Sequence, residues 1–130
     1  MQEFRYIRVE QIGSAIVVRF VESDLSGMAM AESIGIELSH AIAQFAPSRL
    51  IIDFDGVKLI ASSVIGTLLN VRKRLTQQDS VLLLCRVPVP IREVYRTLNL
   101  EGRMLRVFPT VEEAIQAPLT ISAPHEQFED

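Results

Sequence analysis

Cysteine is nearly absent from this 130-residue sequence, in which Cys85 stands alone. One thiol excludes an internal disulfide and any cysteine-based metal cluster. An excess of basic residues is missing as well. The net charge is −3 and the pI about 5.4, which argues against nucleic acid as a partner, because its binders are normally basic. No run reaches the roughly 18 consecutive apolar residues of a membrane span, so no direct membrane insertion is expected. The N-terminus also lacks a basic stretch followed by an apolar run, the mark of a secretory signal, and the expected location is cytoplasmic.

Catalytic patterns are equally scarce. Gly56 and Gly66 are too far apart for a phosphate-cradling loop, and no lysine follows them at the required place. His40 falls off the apolar face of its segment and His125 lies near the C-terminus. Neither has a serine, cysteine or acid at a catalytic spacing, so both read as solvated. Asp53 and Asp55 could together face a cation, but a third ligand is missing; a strand end at Asp53 and a turn at Asp55 are the simpler reading. The sequence points to no enzyme, no metal and no cofactor.

What is present is a core. Hydrophobic residues make up 48% and charged residues 22%, the balance of a compact globule, and the length suits one domain. Phe4 to Ile12 and Ala15 to Val21 flank the Gly13-Ser14 turn, which predicts a hairpin. Met30, Ile34, Leu38, Ala41, Ile42 and Phe45 recur at helical spacing until Pro47. Gly35 interrupts that pattern at a cost of about 1 kcal/mol relative to alanine. Leu50 to Phe54 and Val81 to Cys85 are short apolar runs, as expected of strands covered on both faces. Cys85 therefore reads as a core residue.

Between these runs a helix with Ile65, Leu68, Leu69 and Leu75 on its apolar side begins at Ser62-Ser63. Arg72, Lys73 and Arg74 near its end suit its negative pole and read as a solvated face. Ile91, Val94, Tyr95 and Leu98 form the apolar side of a helix that follows Pro88 and Pro90. Gly102 lies shortly beyond it. Met104 to Phe108 predicts a last strand, and Thr110-Val111-Glu112-Glu113 a capping box opening a last helix. Strands alternating with helices imply an α/β fold with a mostly parallel sheet, an N-terminal antiparallel hairpin strand and about four helices. Residues 1–117 form the domain, and residues 118–130 read as a loose tail.

The most informative segment is Asp53 to Gly66. An apolar strand enters an Asp55-Gly56 turn, and two serines then stand at the positive end of a helix, where a phosphate is electrostatically welcome. Ser62 or Ser63 is thus either a modifiable hydroxyl or an N-cap contributing about 1 kcal/mol.

The chain resembles a STAS domain of the anti-sigma factor antagonist type. The resemblance rests on Leu50 to Val57, the Ser62-Ser63 pair, the helix with Gly66, Leu68 and Leu69, the strand Val81 to Leu84, Leu98-Asn99-Leu100, and Val107 to Ala114. In that family the loop typically reads Asp-Ser-Ser-Gly, and its first serine takes phosphate from a partner serine kinase. That kinase is itself an anti-sigma factor of ATPase fold. The resemblance implies that Ser62 is the phosphate acceptor, with Ser63 as second choice. It also implies a partner surface formed by Asp55, Lys58, Ala61, Ser62, Ser63, Val64, Ile65 and Leu68, with a phosphatase as a further partner. Ala61 stands where the family has aspartate and Val64 where it has glycine. The alternative is a constitutive STAS scaffold, or a subunit of a signalling or lipid-transport complex, whose serines are caps. In that case exposed apolar residues around Val64 and Ile65 do the docking.

Overall fold

The computed structural model describes residues 4–97 and 106–118. The hairpin is β1 (Ile7–Ile12) and β2 (Ala15–Phe20), joined through Gly13 at φ +61°. A two-residue antiparallel turn needs a positive φ at its first central residue, and glycine supplies it without strain. Beyond the hairpin come β3 (Asp24–Leu25), α1 (Met28–Phe45), β4 (Arg49–Asp53), β5 (Leu59–Ile60), α2 (Ser62–Gln77), β6 (Val81–Cys85), α3 (Val89–Thr97), β7 (Arg106–Phe108) and α4 (Val111–Gln116).

Among the described residues, five strands make one sheet in the order β1-β2-β4-β6-β7, antiparallel only between β1 and β2. This is the α/β architecture expected from the alternation of elements. The separate parallel pair β3-β5 was not anticipated, because two-residue strands are too short to show periodicity.

The apolar runs are buried on both faces, as their continuity required. Ile16, Val18, Leu50, Ile52, Leu82 and Leu84 point to one side with the inner faces of α1 and α2. Ala15, Val17, Ile51, Leu83 and Cys85 point to the other, against Val111, Ala114 and Ala117 of α4 and its end. Every residue of β4 is buried, including Arg49, which donates to the Ala114 carbonyl and ties α4 to the start of the strand. Alternation of side chains across the sheet thus sorts one strand's residues into two cores.

Helix ends follow from local chemistry. Ala46 adopts the left-handed conformation at φ 44°, donates to the Ile42 carbonyl at 2.8 Å, and ends α1 one residue before Pro47. Pro90 sits in the first turn of α3, where a missing N–H costs nothing. Thr110 caps α4 by accepting from the Glu113 amide at 3.1 Å.

Gly35 has a steric reason. A Cβ there would lie 3.2 Å from Thr67 Cγ2, and Thr67 Oγ1 in turn donates to the Ala31 carbonyl at 3.2 Å. The glycine lets α1 and α2 approach closely, which sets where α2 lies. Ile91 of α3 is buried. The rest of that helix's expected apolar side (Val94, Tyr95 and Leu98), the Leu98-Asn99-Leu100 segment, Gly102, Met104 and the tail from residue 119 with His125 lie outside the described side chains.

Candidate functional site

The segment between β4 and α2 is held from several directions. Phe54 is fully buried, donates its amide to the Cys85 carbonyl at 3.0 Å, and packs its ring on Phe20 at 5.7 Å. Asp55 and Gly56 then turn the chain, Gly56 at φ +87°, and the Val57 amide closes the turn on the Phe54 carbonyl at 3.0 Å. The Lys58 amide donates to the Ser23 carbonyl at 2.7 Å. Pairing of β5 with β3 carries the chain on to Ala61, whose amide donates to the Leu25 carbonyl at 2.8 Å. The start of α2 is therefore fixed by backbone bonds on the residues just before it.

That anchoring changes the role of the serines. Ala61, not a serine, occupies the N-cap position of α2, with φ −85° and ψ 155°. Its carbonyl accepts from the Val64 and Ile65 amides at 3.0 and 3.2 Å, and no side chain caps the helix among the described residues. Ser62 and Ser63 are the first two helical residues, so the capping role expected for one of them is not fulfilled. Ser62 is exposed and Ser63 half-buried. The first amides of a helix precede its internal ladder, and the first turn of α2 holds no acidic residue, so the helix pole beneath Ser62 is uncompensated by charge.

The expected partner surface divides in two. Asp55, Lys58 and Ser62 are exposed, and Ala61 and Ser63 half-buried. Val64, Ile65 and Leu68 are not on the surface at all; their side chains are at most 1% exposed and belong to the core under the sheet. Once Ser62 points outward, a period of 3.6 residues turns positions 64, 65 and 68 inward. Exposed docking through Val64 and Ile65 is thus corrected. Gly66 shares the outer stripe with Ser62, one turn on, and a Cβ there would meet nothing within 4 Å. Exposed apolar side chains stand on other elements instead: Leu59 on β5, the strand that leads to α2, at 59%, Met28 at the start of α1 at 70%, and Val89 at the start of α3 at 71%. Sequence reasoning missed them because apolar residues at element ends carry no periodic signal.

It also missed the role of Asp53. That residue ends β4 as expected, yet its side chain is 0% exposed. Arg19 Nε of β2 donates to its Oδ2 at 3.0 Å. Arg86, just past β6, clamps it with Nε to Oδ1 at 3.0 Å and Nη2 to Oδ2 at 2.6 Å. The Asp55 amide adds a bond to Oδ1 at 3.0 Å. Burial pushes the carboxyl pKa up, but the Arg86 and Asp55 hydrogen bonds and the two arginine charges outweigh it and hold the group below the usual carboxylate range. The available signal was a charge inside an otherwise apolar strand run. Cys85, next to it, has its thiol pushed up to about 12, by burial first and by the Asp53 charge second.

No three of histidine, cysteine, aspartate and glutamate gather as metal ligands among the described residues. Nor is any helix among them long and apolar enough to cross a membrane.

A family model for the STAS domain matches residues 6–114. The chain belongs to the STAS domain family. Its fold and that of solved STAS proteins agree. A STAS-domain anti-sigma-factor antagonist protein from Planctomyces limnophilus is 29% identical with a TM-score of 0.73, over 84% of this chain and 94% of that one. The anti-sigma factor antagonist SpoIIAA in its unphosphorylated form is 26% identical with a TM-score of 0.69, over 84% and 92%. The Bacillus cell fate determinant SpoIIAA in its phosphorylated form is 26% identical with a TM-score of 0.61, over 84% and 96%. Comparison with curated proteins gives no match.

Proposed function

We propose that this STAS domain is a phospho-regulated protein-binding module of the anti-sigma factor antagonist kind. In its unmodified form it binds an anti-sigma factor that is also a serine kinase of ATPase fold, and phosphate on Ser62 releases that partner. A phosphatase restores the binding form. The module works in the cytoplasm and carries out no chemistry of its own; phosphoryl transfer belongs to the kinase.

The observation that carries this reading is the placement of Ser62, exposed at the first helical position of α2 and without a capping task. A phosphate there adds about −1.5 to −2 charge beside the unpaired amides of a helix pole, so the fold tolerates it. The surface does not stay the same. Leu59, exposed on the strand that leads to α2, offers apolar contact three residues before Ser62, and a charge beside it imposes a desolvation cost on any docked partner. Asp55 and Lys58 form the polar rim, with Ala61 and Ser63 lining the approach. Val64, Ile65 and Leu68 act from beneath by fixing α2. The bare backbone at Gly66 lets a partner come close along the Ser62 stripe. SpoIIAA, similar over most of both chains, has been solved both with and without phosphate.

The test is capture from a lysate on three baits: wild type, Ser62→Ala and Ser62→Asp. The reading expects an ATPase-fold kinase on the first two and its loss from the third, with phosphate incorporation only into wild type when ATP is supplied. Identical partners on all three baits would retire Ser62 as a switch and leave a constitutive scaffold.

A further inference from the structure

The buried Asp53 carboxylate does something that strand pairing alone does not. Its partners begin the loop that leads to α2 and the segment that leads to α3. The Asp55 amide, on Oδ1, opens the segment that runs through Lys58 and Ala61 to Ser62. Arg86, on both oxygens, opens the segment that leads through Pro88 to Val89 and α3.

Arg86 is held in an unusual backbone state, φ 53°, and its amide donates to the Phe108 carbonyl at 3.1 Å. A non-glycine residue rarely adopts that region, so the surrounding contacts must over-determine it. Its guanidinium also lies 3.8 Å from the Asp55 carboxylate, which adds a second tie between the two loops. Arg19, also paired with Glu10 at 3.1 Å, completes the shell from β2. Among the described residues, the four hydrogen bonds on Asp53 thus come from three adjacent strands or the loops that leave them.

We propose that Asp53 is a positioning residue that couples the Ser62 loop to the entrance of α3, so that a charge placed on Ser62 is transmitted to residues 86–91. The geometry of the coupling stands by itself; its use in signalling rests on the switch reading of Ser62. Packing of α3 against β5 completes the circuit, because β5 is the strand that hands the chain to Ala61. A bidentate arginine–carboxylate pair with low freedom is suited to this, since it has one good geometry rather than many. The loop that leads to Ser62 and the segment that leads to α3 are therefore tied to one carboxylate.

The test needs no partner protein. Amide chemical shifts are compared between the parent and Ser62→Asp in two backgrounds, wild type and Asp53→Asn, on the full chain. In the wild-type background, Ser62→Asp is expected to move the amides of residues 86, 87, 89 and 91, the non-proline positions of 86–91, as well as those of its own turn. In the Asp53→Asn background the shifts at 86–91 are expected to vanish while those near residue 62 persist. Arg86→Lys, which keeps the charge and loses the two-point grip, is expected to reduce the distant shifts in the same way and serves if Asp53→Asn does not fold. Shifts at 86–91 that are absent in wild type, or unchanged by both substitutions, overturn the proposal. Neither result bears on whether a kinase modifies Ser62, which the bait experiment reads separately.

Discussion

Ala61→Asp should stabilise the domain, and the amount can be worked from the start of α2. Residue 61 already has the extended φ and ψ of an N-cap, and its carbonyl already accepts from the Val64 and Ile65 amides. No backbone change is needed for a side-chain oxygen there to accept from the amide two or three residues on. Alanine is among the poorest N-caps, and exchange between it and aspartate is worth about 1 kcal/mol, within a range of roughly 0.5–2. The carboxylate also meets the helix pole, and no acid in the first turn repels it. For a domain of this size a gain of 1 kcal/mol raises Tm by about 3–5 °C. Urea unfolding followed by circular dichroism should show a higher midpoint at unchanged slope, and Ala61→Asn should retain most of the gain because it caps without charge. A loss of stability, or a gain with Asp that Asn does not share, would refute the capping argument.

Ser62→Ala should change stability by less than about 0.5 kcal/mol, since the residue sits past the cap; a loss of about 1 kcal/mol in urea melts would show that it caps after all. Gly35→Ala should fail to deliver its usual gain of about 1 kcal/mol, because the new methyl meets Thr67 Cγ2 at 3.2 Å, whereas the same change in a Thr67→Ser background should recover it. Asp53 has a lower pKa folded than unfolded, so the native state binds fewer protons. Its contribution is complete above about pH 4 and is lost as the pH falls through the folded value, and Asp53→Asn should flatten that part of the stability–pH curve. Cys85, its thiol pushed up to about 12, should resist iodoacetamide at neutral pH in the native protein and react once urea unfolds it.

Much of this architecture was legible because burial and periodicity write the same message. Leu50 to Phe54 and Val81 to Cys85 read as covered strands since nothing polar interrupts them until Asp53, and both are buried throughout or nearly so. Helices α1 and α2 showed through their apolar spacing. The pair β3-β5 stayed hidden because two residues make no pattern. The start of α2 was legible in place but not in detail. Sequence order put Ser62 and Ser63 at the start of a helix, but one residue decides between a cap and a first helical position, and backbone bonds to Leu25 and Ser23 made that decision. The inward turn of Val64, Ile65 and Leu68 follows from the same one-residue choice. Asp53 was visible as a charge in the wrong company, yet its partners Arg19 and Arg86 stand 34 and 33 residues away in sequence. Only the sheet brings them together.

The circumference of α2 separates what the protein must be from what it can say. Its inner residues are committed to the core, while residue 62 sits on the outer side of the same turn with no side-chain duty to the helix. A letter written there can be changed, charged or erased without entering the core that Val64, Ile65 and Leu68 occupy. Such insulation separates vocabulary from grammar: the outer stripe of the helix can vary in chemistry without the chain having to solve its folding problem again.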